Sequence, residues 1–200
     1  MPFEVAWEFA RSAKGWLGRD EAELLYQLAL AASNIGRVVE LGSYCGRSSI
    51  VLAAGITAVP DVRALCVDTF CGSPEHQPGA PYFDPETLVD GTVNTYPQFW
   101  ANLDRAGLIQ RVEVVVSTSV DAASVMAEPI SLLFVDTDHQ YTAARADIDA
   151  WAPKLAARGW IVIHDVGAWP GATRAAADLL ENGFERHAQA GTALALRRRT

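Results

Sequence analysis

The chain has 200 residues, half of them hydrophobic and a fifth charged, with a formal net charge of −8; this composition predicts one soluble globular domain over residues 1–200. An acidic chain repels a phosphate backbone, so nucleic acid is not an expected partner, and no apolar run is long enough to span a bilayer. Three cysteines (Cys45, Cys66 and Cys71) form neither a metal-ligand nor a disulfide pattern, and the start lacks a charged-then-apolar leader, so a cytoplasmic protein with reduced thiols is expected.

In chain order, residues 1–36 form an N-terminal helical segment, with helical spacing over Glu21–Asn34, Asp20 as its cap and Gly36 as its stop. A short strand follows over Arg37–Leu41, then a helix over Arg47–Ile56. A second strand covers Arg63–Val67. Residues 71–94 are rich in Pro and Gly and have no period. A loop of that length leaving a strand end is read as a lid. Further on come a helix over Tyr96–Ala106, a β-branched strand over Val112–Val116 and a helix over Ser119–Met126. Then follow a strand over Ile130–Val135, a helix over Tyr141–Ala156, a strand over Trp160–Ile163 and a helix over Thr173–Leu180. Phe184–Ala188 and Ala193–Leu196 close the chain as an antiparallel hairpin. Alternating helices and near-continuous apolar strands predict an α/β fold, a doubly wound and mostly parallel sheet covered on both faces. Such sheets bind ligands at the carboxyl ends of their strands, where Asp68, Asp136 and Asp165 fall.

The turn VVELGSYCGRSS (38–49) poses the sharpest question. A dinucleotide turn reads G-x-G-x-x-G. Here the spacing is Gly42-x-x-x-Gly46, and bulky Tyr44 stands where backbone would approach a pyrophosphate. Glu40 would repel a phosphate but suit a cation. A ligand bearing an ammonium and a sulfonium fits better than a dinucleotide, which disfavours a nucleotide-dependent oxidoreductase.

E-x-G-x-x-x-G-x-S resembles the first motif of class I S-adenosylmethionine-dependent methyltransferases. GWLGRDEAELLYQLA, VDTFCGSPEH, FVDTDHQYTAARADIDAWAPKL and IHDVGAWPG extend the resemblance over nearly the whole chain. Together they are similar to the branch of catechol-type and macrolide-sugar O-methyltransferases. The resemblance implies a Rossmann-like seven-stranded sheet, S-adenosylmethionine as cofactor and a small-molecule acceptor: a natural product, sugar or phenol. It implies that Glu40 takes the cofactor's ammonium and that Gly42, Ser43, Tyr44 and Gly46 let backbone pass close to it. Ser48 would meet its carboxylate at a helix N-terminus, and Asp68 its ribose hydroxyls. Thr118 and Ser119 match the adenine-flanking turn. Helix capping is an equal account of Ser48 and Thr118.

At the reacting end, His139 matches the basic residue that takes the acceptor's proton, a task that suits imidazole near neutral pH. Asp136 would face cofactor and substrate. Two readings of Asp136, His164 and Asp165 stand side by side. They form a three-ligand set for a divalent metal, in which histidine shifts preference from magnesium toward manganese, iron or zinc. Alternatively, the site is metal-free, with His164 bonded to Asp165. His76 lies on the suspected lid, and Trp169 and Pro170 are placed to wall a substrate. Trp7, Trp16, Trp100, Trp151 and Trp160 are read as packing residues. A protein that binds the cofactor without methyl transfer is the alternative function. A two-fold homodimer is the expected assembly, being the commonest oligomer.

Overall fold

A computed structural model describes residues 1–127 and 129–199; positions 128 and 200 of the expected 1–200 domain lie outside the described residues. The elements are α1 (Phe3–Ala10), α2 (Arg19–Ala32), β1 (Arg37–Leu41), α3 (Arg47–Gly55), β2 (Ala64–Asp68), β3 (Leu88–Val89), β4 (Thr92–Val93), α4 (Tyr96–Arg105), β5 (Val112–Val116), α5 (Ser119–Val125), β6 (Ile130–Val135), α6 (Tyr141–Trp151), β7 (Leu155–Ile163), α7 (Pro170–Glu181), β8 (Phe184–Ala190) and β9 (Ala193–Arg198).

Seven strands form one sheet in the order β5-β2-β1-β6-β7-β9-β8. The first five are parallel, and β9 and β8 add antiparallel to β7. This is the expected Rossmann-like doubly wound sheet with its C-terminal hairpin. Side chains along the central strands alternate between two cores. Val38, Leu132 and Phe134 pack on the side of α1 to α4. Val39, Leu133 and Val135 pack on the side of α5 to α7.

Register decides where the site lies. Leu41 pairs with Val67 on one side and Val135 on the other, and Val135 pairs with Ile163. The next residues, Gly42, Asp68, Asp136 and His164, therefore come level along one edge of the sheet. Strand order reverses at β1, and that reversal opens a crevice above these residues.

Several boundaries differ from the sequence reading. The N-cap of α2 is Gly18, not Asp20: the Glu21 carboxylate accepts the Gly18 N–H at 2.7 Å, and Asp20 sits in the first turn. The helix expected to run to Ala156 stops at Trp151, because Pro153 lacks the N–H that would continue it. β7 then begins at Leu155 rather than Trp160 and pairs Ile130 with Leu155, with a register shift before Leu132 meets Trp160. α7 begins at Pro170, ahead of Thr173, since proline is preformed for a first helical position. Residues 71–94 carry two 3₁₀ turns and the β3–β4 ribbon.

Candidate active site

The turn between β1 and α3 is built by its glycines and by Asp68. Gly42 (φ +84°) lies so close to β6 that a Cβ there would collide with the carbonyl oxygen of Asp136. Gly46 (φ +86°) is the N-cap of α3, and a Cβ on it would press on the Phe99 ring. Both glycines thus have a packing reason within the protein itself. Tyr44 holds a left-handed conformation (φ +46°) without being glycine. The turn is pinned by Asp68, whose Oδ2 accepts the N–H groups of Ser43 and Tyr44, both at 2.7 Å. Its Oδ1 accepts the Phe70 N–H at 2.6 Å.

Glu40 is completely buried beneath this turn. Its Oε2 accepts hydrogen bonds from the Ser43 and Ser49 hydroxyls, and its Oε1 has no hydrogen-bond partner. Burial raises its pKa, offset in part by Ser43, Ser48, Ser49 and Cys66. Above the turn lies a cavity of about 630 Å³, bounded by Gly42, Ser43, Tyr44, Ser48 and Asp68 at one end. Glu40 and Gly46 do not line it.

Beyond β5 the lining continues with Thr118 and Ser119. Thr118 caps α5: its Oγ1 accepts the Asp121 N–H at 3.2 Å and donates to Asp121 Oδ2 at 2.7 Å. The Ser119 hydroxyl donates to one oxygen of Asp147, and the Thr137 hydroxyl donates to the other at 2.5 Å. Asp147, on α6, is buried and ties the β5 end of the cavity to the β6 end. Burial raises its pKa, against those two hydroxyls. Sequence reasoning missed it, because a lone acid within a helical period carries no local signal.

Opposite, four acids and two imidazoles meet. His139 Nδ1 is 2.7 Å from Glu75 Oε1, and its Nε2 is 2.8 Å from Asp165 Oδ2 and 3.9 Å from Asp136 Oδ1. Burial alone would lower its pKa; Asp165, Asp136 and Glu75 outweigh burial and raise it to about 9. The ring stacks on Trp169, with centroids 4.6 Å apart and planes 17° apart. His164 is buried, with Nδ1 3.3 Å from both Asp136 Oδ1 and Asp165 Oδ2 but without a directed hydrogen bond to either. Its Nε2 is 3.3 Å from Glu21 Oε2. Burial opposes its charged form, yet Asp136, Asp165 and Glu21 raise its pKa far above the ordinary range. Asp165, in a left-handed conformation (φ +62°), is held well below the carboxylate range by the two imidazoles, against burial. Among the described residues, the group whose ligand atoms all lie within 4.8 Å of one another is Asp136, His139 and Asp165. The sequence reading had His164 in the place of His139.

An aromatic wall covers this end. Trp16 is 54% exposed and lines the cavity, so it is not the packing residue expected. It stacks on His76 at 5.2 Å and meets Tyr44 and Tyr82 at 5.5 Å each. Tyr82 continues toward Trp169 at 6.1 Å. Lys14 ties this N-terminal stretch to Asp84 and Glu86 of the loop.

The family model for a methyltransferase domain matches residues 39–166. A catechol O-methyltransferase of Mycobacterium tuberculosis is 32% identical over 139 residues, which is 69% of this chain and 51% of that protein. The chain thus spans about half the length of this curated relative. Among solved structures, the O-methyltransferase NovP superposes with a TM-score of 0.75 at 18% identity, over 100% of this chain and 89% of the other. The Podospora anserina methyltransferase PaMTH1, described as SAH-bound, superposes at 0.68 with 13% identity over 100% and 89%. At these identities the likeness is one of fold.

Proposed function

Because the chain belongs to the methyltransferase-domain family, we propose that it binds S-adenosylmethionine and catalyses methyl transfer to a hydroxyl of a small molecule, with His139 as general base. The observation that carries the reading is His139 itself, an imidazole held between two carboxylates at the edge of a large cavity. The cofactor side fits as well. Asp68 lines the cavity with its carboxylate already fixed, and Glu40, beneath the turn and outside the lining, leaves Oε1 without a partner while its Oε2 holds the turn through Ser43 and Ser49.

When bound, S-adenosylmethionine supplies an electrophilic methyl on a sulfonium that departs as a neutral thioether. The protein's part is alignment and proton uptake. As the acceptor oxygen forms its bond to carbon, its hydroxyl proton passes to His139 Nε2. Glu75 and Asp165 stabilise the imidazolium that results. Trp169 and the Trp16–His76–Tyr82 wall exclude water and offer flat surfaces to the acceptor.

A divalent ion at the same cluster is a second reading, favoured by the buried Nδ1 of His164, which faces two carboxylates without a directed hydrogen bond. Asp136, His139 and Asp165 would hold the ion, with His164 Nδ1 beside them, 3.3 Å from both carboxylates. Each imidazole turns its far nitrogen to a glutamate, as metal-ligating histidines do. The mixed donor set suits manganese, iron or zinc better than magnesium. Such an ion would lower the acceptor's pKa and orient it.

Calorimetric titration with S-adenosylmethionine tests the reading, with NAD as the inert control. Binding is expected, and it weakens in Glu40→Ala and Asp68→Ala. No binding, with or without Mn²⁺, removes the proposal. Titration with Mn²⁺ alone tests the metal: no heat, or equal heat in Asp136→Asn, counts against it.

A further inference from the structure

We infer that Glu75, from the loop over the acceptor side, is a positioning residue for His139: it fixes the imidazole so that Nε2 alone is presented to the reacting oxygen. The inference rests on the proposed methyl transfer and adds to it a group 64 residues away in sequence from the base.

The contact is short and sheltered. Glu75 Oε1 lies 2.7 Å from His139 Nδ1, and the side chains are only 13% and 15% exposed. Exposed ion pairs of this kind contribute little, but screening by water is weak here. A carboxylate only accepts, so Nδ1 must carry its hydrogen. Nε2, although 2.8 Å from Asp165 Oδ2, makes no directed hydrogen bond to it, so in the neutral ring Nε2 is the atom left to take up a proton. Trp169 fixes the plane of the ring from one face. The other groups facing His139, Asp165 and Asp136, both approach through Nε2, so neither can set the far nitrogen.

Glu75 is itself held firmly. It lies in the 3₁₀ turn Pro74–His76, which Ser73 caps, and its carbonyl accepts the Tyr82 N–H at 3.0 Å. Next to it, His76 Nδ1 accepts the Ser73 N–H at 3.1 Å while its ring packs against both Trp16 and Tyr44. The loop that shapes the acceptor space therefore also orients the base. When Nε2 takes the acceptor's proton, the new positive charge is shared toward Glu75 through the Nδ1–H bond.

The test uses the whole chain without added metal, together with Glu75→Gln, Glu75→Ala and His139→Asn. Nitrogen-edited proton NMR is expected to show a downfield His139 Nδ1–H resonance, distinguished from Nε2–H, that is absent in His139→Asn and lost in Glu75→Ala. In Glu75→Gln, whose amide oxygen still accepts, it shifts upfield. With catechol as probe acceptor, Glu75→Ala lowers kcat on the order of 10²-fold. Cofactor affinity stays unchanged, and Glu75→Gln recovers part of the rate. Persistence of the resonance in Glu75→Ala, or wild-type kcat in that variant, overturns the inference. Should Glu75→Ala fail to fold, an unshifted resonance in the isosteric Gln variant overturns it equally. The resonance needs no turnover, so it decides the matter even if catechol is not methylated. A wild-type chain that binds no cofactor sinks the methyltransferase reading separately.

Discussion

His139 carries the sharpest consequence of residue-scale electrostatics. Its pKa is raised to about 9, so near neutrality it is mostly protonated and unable to act as a base. In metal-free buffer, kcat/KM should rise with pH and level off above about 9. His139→Ala should lack that limb and turn over on the order of 10²- to 10⁴-fold more slowly. A flat profile in the wild type would dismiss His139 as the base. Stability moves in the opposite sense. A histidine whose folded pKa is raised contributes stability that is fully present below about pH 6.5. That contribution is lost as pH rises through about 9. Activity and stability should therefore diverge between those values.

Between elements, Glu21 is the tie that holds α2 to the end of β7 and to the turn before β9. It accepts the Gly18 N–H at 2.7 Å, the Thr192 N–H at 2.7 Å, the Thr192 hydroxyl at 2.8 Å, and faces His164 at 3.3 Å. Burial would raise its pKa, but His164, Gly18 and Thr192 lower it to about 2. Its contribution is present above the ordinary carboxylate range and lost as pH falls through that lowered value. Glu21→Gln leaves His164 buried with a weaker partner and should cost about 3 kcal/mol at pH 7, read by urea unfolding. The sequence shows Glu21 only as one acid on an amphipathic helix, because its partner is 143 residues away. The same limit hid Glu75 and Asp147. Strands were legible where apolar runs ended in acids, as at Asp68 and Asp136. They were not legible at Leu155, where alanines favoured helix and pairing with Ile130 prevailed.

Across the molecule, the excess of acid is focused at the cavity. Glu75, Asp68, Asp136, Asp138 and Asp165 line it. Of the cations there, Lys14 is engaged with Asp84 and Glu86, and Arg47 donates to the carbonyls of Ala13 and Leu17. The protonated His139 and His164 offset part of this charge, and the excess of carboxylates still repels anionic ligands. A carboxylated catechol should thus show a higher KM than catechol, and the gap should shrink with added salt as repulsion is screened. A KM gap unaffected by salt would contradict this. The fold and the Gly42–Gly46 turn were readable because they lie in continuous stretches of sequence. The acceptor side was not: it draws on the N-terminal segment, the 71–94 loop and the stretch after β7, which meet only in space. Trp16 shows the difference, since as one tryptophan among six it gave no sign of standing in the wall. The stacking of Trp169 on His139 has a further use. A protonated imidazole quenches indole emission, so Trp169 is a built-in optical indicator of the charge on His139. Its brightness should follow the same titration as the reaction, and Trp169→Phe should silence it.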